Sequence, residues 1–231
     1  MSRPFFKSGI IGILLIISSL ALLKVFPSQA PRLPDGFFTP ILAFEFVNSR
    51  QEVENLFGEP QSAYRAAMVT AMDLGNRLDY AYMILYSLFL FGFSITCARL
   101  TQRRRYYFAA LISILVLIGD AMENVQLLGI TRKLADGGYE KELQLLFYFT
   151  WLKWGGLALI FLILVPYFFK GSLIAKLIAL IGLTTVVLAI LSFLNRSVLN
   201  EIYSLSVAVM FLVTIIYALT HRHRKRLVPY F

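Results

Sequence analysis

The stretch Tyr106–Ile130, YYFAALISILVLIGDAMENVQLLGI, decides the class of fold of this chain. It is long enough to cross the roughly 30 Å hydrocarbon core of a bilayer as a single helix, which takes about 20 apolar residues. Within it, Asp120, Glu123 and Asn124 are spaced so that their side chains share one helix face. A charge inside the membrane costs about 3 kcal/mol or more, so we interpret these three residues as a candidate functional site.

The composition of the whole chain agrees with a membrane protein. Of its 231 residues, 58% are hydrophobic and 15% are charged, whereas about 25% are charged in soluble domains. We predict an all-α integral membrane protein, with residues 1–231 as a single transmembrane domain and a bundle of about six transmembrane helices. The predicted spans are residues 8–26, 78–98, 106–129, 145–169, 173–194 and 201–220.

Basic residues in the short connections and at the chain ends predict the orientation. They are Arg3, Lys7, Arg99, Arg103, Arg104, Arg105, Lys170, Lys176, Arg222, Arg224, Lys225 and Arg226. If every segment spans, all of them fall on one side, so both termini should be cytoplasmic. The net charge of +9 is explained by this topological role, and no basic and aromatic surface for nucleic acid is expected.

Residues 27–77 form the longest connection and are predicted to be extracytoplasmic. Ser49 and Glu52 have the spacing of a helix-capping box, and Gly58 supplies a stop, so a short helix is expected over residues 50–57. Residues 63–74 are expected to form a further helix that can continue into the second span. Ser28-Gln29-Ala30 resembles a signal-peptide cleavage site. We favour an uncleaved anchor over residues 1–30, because the apolar run is long and a proline would follow the cut.

Polar residues should meet in the outer half of the bundle. A rise of 1.5 Å per residue places Asp120 and Lys153 at similar depths on antiparallel spans, so they can pair. The stripe from Asp79 through Tyr82 and Tyr86 enters the membrane from the same side. Further polar or aromatic residues expected there are Glu45, Asn76, Arg77, Trp151, Trp154, Asn200 and Glu201. We therefore expect an outward-facing polar cavity, with an interhelical packing cluster as the simpler alternative.

The residue types restrict the chemistry of such a site. The single cysteine, Cys97, cannot form an intrachain disulfide, and the only histidines, His221 and His223, lie in the basic tail. Haem and histidine-based metal sites are therefore not expected. Carboxylates can act as general acids and bases, carry protons, or bind a divalent cation through oxygen. No cofactor is expected, with a divalent cation left open.

Three short motifs carry a resemblance to other proteins. Ala43-Phe-Glu45, Leu78-Asp79-Tyr80 and Asp120-x-x-Glu123-Asn124 resemble the pattern of a group of uncharacterised bacterial multi-pass membrane proteins. The resemblance covers roughly residues 40–130 and implies no activity. It does imply that these acidic residues and Asn124 form one constellation, and it favours a bacterial inner (plasma) membrane as the location.

The leading functional expectation is a protein that binds a lipid or amphipathic small molecule in the polar cavity, with its modification left open. Asp120 and Glu123 are the candidate acid–base groups, and Asn124 is expected to orient them. Lys153 is expected to bind an anionic headgroup, and Glu45 to close the site. The remaining candidate ligand-binding residues are Arg77, Asp79, Tyr82, Trp154 and Glu201.

Two other classes of function stay open at this stage. A proton- or cation-coupled transporter component would need a polar path that continues to the cytoplasmic side. A non-catalytic assembly or interaction protein would use the acidic residues for packing alone. The expected partner is the lipid bilayer, and the oligomeric state is left open.

Overall fold

A computed structural model of the chain describes residues 3–222, which contain eight helices. His223, Arg224, Lys225 and Arg226, to which the sequence assigns part of the basic tail, lie outside the described residues. The helices are α1 (Phe6–Val25), α2 (Pro40–Glu45), α3 (Arg50–Phe57), α4 (Ala63–Thr101), α5 (Arg105–Arg132), α6 (Glu140–Phe168), α7 (Leu173–Leu194) and α8 (Val198–Thr220).

The six long helices confirm the predicted spans. Helices α1, α4, α5, α6, α7 and α8 are each long and apolar enough to cross a membrane. The protein is therefore an all-α, multi-pass membrane protein. Helix α4 begins at Ala63 and runs for 39 residues, which confirms that the predicted helix over residues 63–74 continues into the second span. At about 58 Å it is nearly twice the thickness of the hydrocarbon core, so its first turns project beyond the membrane.

The spans form a closed ring. Helix α1 packs against α4, the chain then packs in order from α4 through α5, α6 and α7 to α8, and α8 returns to α1. Gly12 allows α1 and α8 to pack closely, because a Cβ at this position would lie 2.6 Å from Cγ1 of Ile215 on α8. The first span is thus packed into the bundle and is not a detached helix.

One end of the ring is covered by residues 27–62, which we call the cap and which contain α2 and α3. Helix α3 matches the predicted 50–57 helix: the Ser49 hydroxyl accepts from the Glu52 backbone N–H, and Gly58 ends the helix at φ +82°. The other half of the predicted capping box is shifted. The Glu52 carboxylate accepts a hydrogen bond from the backbone N–H of Asn48. It also accepts two hydrogen bonds from the Arg196 guanidinium group, at 2.9 and 2.8 Å.

Aromatic rings fill the interior of the ring away from the cap. Phe89 and Phe93 of α4 and Phe161 and Phe168 of α6 are almost completely buried. The ring centroids of Phe93 and Phe168 lie 5.8 Å apart, and those of Phe161 and Phe211 on α8 also lie 5.8 Å apart. The interior below the capped end is therefore mainly aromatic, with a few uncharged polar side chains such as Ser94 and Ser113, and the buried charged side chains gather directly under the cap.

Candidate functional site: a carboxylate–lysine cluster under the cap

Helix α5 brings three predicted site residues to one buried face. Asp120, Glu123 and Asn124 are each 2% exposed or less. Gly119 allows α6 to come close at this level, because a Cβ there would lie 2.9 Å from Leu152 Cγ and 3.1 Å from the backbone nitrogen of Lys153. The small residue next to Asp120 therefore sets the distance at which charges of the two helices meet.

The ammonium group of Lys153 is the centre of the cluster. Its Nζ lies 3.0 Å from Glu45 Oε2 and 3.4 Å from Asp120 Oδ1, and it contacts the Glu123 carboxylate directly. The contact between Asp120 and Lys153 that the depth argument predicts is present. Glu123 and Glu45 are nevertheless the closer partners of this lysine.

Glu45 connects the cap to the membrane-embedded residues. Its Oε2 also accepts from the Trp154 indole N–H at 2.9 Å, and its backbone oxygen accepts from the Thr150 hydroxyl at 3.1 Å. As the last residue of α2 it places a carboxylate at the negative end of a helix dipole, where a charge of that sign is unfavourable. Contact with α6, and not the stability of α2, therefore explains the acid at this position.

The surroundings of Glu45 change its acidity. Burial raises the pKa of its carboxyl group above 4.5, and the Lys153 ammonium opposes this increase. Asp120 acts in the same direction as burial, because a second negative charge nearby disfavours ionisation. The docked position of Glu45 therefore favours the protonated form more than an exposed position would.

Helix α4 closes the cluster on a third side. The Asn124 amide donates to Asp79 Oδ2 at 2.8 Å, and the Tyr86 hydroxyl donates to Asp120 Oδ2 at 2.5 Å. The Tyr82 ring packs on Tyr86, with centroids 5.5 Å apart. The expected role of Asn124 in orienting Asp120 or Glu123 is untested, but the amide contacts Asp79 in this structure.

Two oxygen atoms in the cluster are buried without a hydrogen-bond partner. They are Glu123 Oε1 and Asp120 Oδ1, the latter at ion-pair distance from Lys153 but not in hydrogen-bonding geometry. Buried polar atoms are normally satisfied, so each exception needs an explanation. The cluster has capacity for further hydrogen-bond donors.

The other predicted site residues lie at or beyond the edge of the cluster. Arg77 is exposed on α4. Glu201 of α8 accepts from the backbone N–H groups of Phe38 and Thr39, at 2.9 and 2.8 Å, and so holds the start of α2. Its contact is with the cap and not with Lys153.

Sequence reasoning missed two contributors to the site. Tyr86 lies on the same helical stripe as Asp79, so the pattern contains it, but it is not among the predicted ligand-binding residues. Thr150 lies one turn before Lys153 on α6, and this spacing could have identified it.

Among the described residues, the cluster does not form the expected outward-facing cavity. The cluster side chains contact one another, and Glu123 has no exposed surface. A cavity of about 510 Å³ lies instead at the edge of the cap and is lined by Gln29, Ala30, Pro31, Gly58, Glu59, Ser62 and Tyr64. Within residues 3–222, no group of three or more His, Cys, Asp or Glu side chains is arranged to hold a metal ion.

Fold and site together define a multi-pass helical membrane protein with a buried carboxylate–lysine cluster beneath a cap. Comparisons of the chain with protein-family models, curated proteins and solved structures give no match.

Proposed function

We propose that the protein binds the polar group of a lipid or amphipathic small molecule at the carboxylate–lysine cluster, and that displacement of the cap admits this ligand. The observation that carries the proposal is the position of Glu45. It is the one carboxylate in contact with Lys153 that belongs to the cap and not to a span. Movement of α2 would expose Lys153, Asp120 and Glu123 without separating the spans.

The buried carboxylate oxygens without a hydrogen-bond partner favour a ligand-binding role for the cluster over a purely structural role. A cluster whose only role is to hold helices together is expected to satisfy its own hydrogen bonds, because an unpaired buried polar atom costs about 1–3 kcal/mol. Glu123 Oε1 and Asp120 Oδ1 lack such partners. A bound ligand would supply them.

The location of the ligand follows from the basic residues at the opposite end of the ring. Arg99 in the last turn of α4 and the run Arg103–Arg105 lie at the connection from α4 to α5, away from the cap. Under the positive-inside rule this connection is cytoplasmic, so the cap faces the extracytoplasmic side and both termini are cytoplasmic. A bacterial inner membrane is the proposed setting. Reporter fusions to the connection and to the cap test the orientation.

The acid–base roles extend the proposal to an enzyme. Asp120 and Glu123 are the candidate groups, since both carboxylates are buried beside the Lys153 ammonium and a positioned carboxyl group can transfer a proton to or from a bound ligand. Lys153 as the binding group for an anionic headgroup stays a prediction. Its ammonium is surrounded by three carboxylates in the closed form, so an anion would have to replace Glu45.

The test is a thermal-shift comparison of the purified protein in detergent with a panel of lipids. A ligand at 100 times its Kd should raise the free energy of unfolding of the wild type by about 2.7 kcal/mol. Glu123→Gln should reduce this shift by about 1.3 kcal/mol or more, the change that a tenfold weaker Kd produces. The matched control is Glu142→Gln, whose carboxylate pairs with Lys133 at 2.6 Å outside the cluster, and it should keep the shift. Equal shifts in all three proteins would contradict the proposal.

A structural role is the second candidate, because the cluster connects α2, α4, α5 and α6. In that case Glu123→Gln would lower stability or assembly, and no ligand would act on the wild type. The transporter alternative has less support, since the aromatic rings of Phe89, Phe93 and Phe161 fill the interior below the cluster.

A further inference from the structure

We infer that the ligand of the cluster carries a protonated amine; this inference rests on the proposed function and specifies the class of ligand. Glu45, Asp79, Asp120 and Glu123 supply four carboxyl groups, and Lys153 supplies the ammonium that faces them. One ammonium can balance only one carboxylate, so each carboxyl group that ionises beyond the first leaves a negative charge without a counter-charge. Such a charge attracts a cation and repels an anion.

The unpartnered atoms also select a hydrogen-bond donor. Glu123 Oε1 and Asp120 Oδ1 are acceptors, on side chains that are 0% and 3% exposed. An ammonium group has three donors and no acceptor, so it adds partners without adding an unsatisfied acceptor. A hydroxyl group could donate as well, but it would leave the excess charge unchanged.

Lys153 itself shows that a primary ammonium fits these surroundings. Besides its carboxylate contacts, its Nζ lies 5.1 Å from the centroid of the Trp154 ring, within the range of a cation–π interaction. Carboxylates together with an aromatic face are a general means of recognising ammonium groups. A metal ion fits less well, because no group of three or more His, Cys, Asp or Glu side chains in the described residues is arranged to hold one.

The cap supplies apolar surface next to this polar group. The Phe46 ring, one residue after Glu45, lies 5.6 Å from the Trp151 ring and 6.3 Å from the Trp154 ring, centroid to centroid. A ligand that displaces α2 would bring an apolar part against the surface that Phe46 now covers. The inferred ligand is therefore an amphipathic amine, either a lipid with an amine headgroup or a free alkylamine.

The two tryptophans of the chain allow a direct test. Trp151→Phe leaves Trp154 as the only indole, and its emission reports on the cluster that it contacts. This variant is titrated with hexylammonium chloride, hexanol and hexanoate, which share one alkyl chain and differ in the polar group. Hexylammonium should change the emission and raise the melting temperature, with hexanol and hexanoate at least about tenfold weaker.

Variants connect the effect to the cluster. Glu123→Gln should weaken hexylammonium binding by about tenfold or more, because it removes a charge-assisted hydrogen bond. Asp120→Asn serves the same purpose if the first variant does not fold, and Glu142→Gln should bind normally. Nanodiscs of phosphatidylethanolamine and of phosphatidylglycerol then separate a lipid amine from a free one.

The outcomes separate the inference from the proposed function. Hexanoate binding at least as tightly as hexylammonium, or unchanged hexylammonium binding in both cluster variants, would overturn the amine inference. If a lipid from the panel without an amine gives a shift that depends on Glu123, the amine inference fails and the proposed function stands. If neither lipids nor hexyl compounds act, both fail.

Discussion

Lys153→Met is the substitution that puts the most strain on the cluster. Methionine keeps an unbranched apolar side chain but removes the ammonium, so the carboxylates of Glu45, Asp120 and Glu123 face one another without a counter-charge. Removing one partner of a buried ion pair costs about 3–5 kcal/mol. For a chain of this length the same loss corresponds to a decrease of about 6–20 °C in melting temperature.

The control for this experiment is Lys133→Met. Lys133 pairs with Glu142 at 2.6 Å, but its side chain is 44% exposed, and such pairs contribute about 1 kcal/mol or less. Both variants are compared by thermal unfolding in the same detergent, followed by tryptophan fluorescence. The double variant Lys153→Met with Glu123→Gln should lose less than the sum of the single losses, because one unpaired charge is gone. Equal losses for Lys153→Met and Lys133→Met would refute the reasoning.

Three further predictions concern the close packing of α6 against α5 and the contacts that fix the cap on the spans. Gly119→Ala should destabilise by about 1–3 kcal/mol in thermal unfolding, because the new Cβ meets Leu152 and the backbone of α6. Gly155→Ala, with nothing within 4 Å, should be neutral or stabilising by up to about 1 kcal/mol, because alanine favours a helix interior over glycine. Burial raises the pKa of Glu45, so the stability that this group contributes is greatest below pH 4.5 and is lost as the pH rises through the raised value. Glu45→Gln should lack that part of the pH dependence in melting curves between about pH 4 and about pH 8. Glu201→Gln weakens the hydrogen bonds that fix the start of α2 and should destabilise the docked cap by about 1–2 kcal/mol. Limited proteolysis should therefore cut the cap faster in this variant than in the wild type.

The spans and the polar face of α5 could be predicted from sequence because they depend on local periodicity. Apolar length fixes where a helix can cross the bilayer, and spacings of three and four fix which side chains share a face. The similar depths of Asp120 and Lys153 follow from the rise per residue along two antiparallel helices. These arguments need no knowledge of how distant parts of the chain pack.

The arrangement of the cap could not be predicted in the same way. The contacts of Glu45 with Lys153, of Glu201 with Thr39 and of Arg196 with Glu52 join residues more than 100 positions apart. No local pattern encodes such pairs, because they depend on the closure of the ring and the path of residues 27–62 over it. The same cause explains why the sequence indicated an open cavity: it assigned Glu45 to close the site, but it did not show that a helix, α2, packs over the other polar side chains.

Native mass spectrometry of the purified protein tests the central claim most directly. If the carboxylate–lysine cluster is a ligand site, gently solubilised wild-type protein and Glu142→Gln should retain an amphiphile of defined mass, and Glu123→Gln and Asp120→Asn should release it. The mass of that adduct would also identify the ligand. Identical adducts on the wild type and on both cluster variants, or the same loss on Glu142→Gln, would contradict the account.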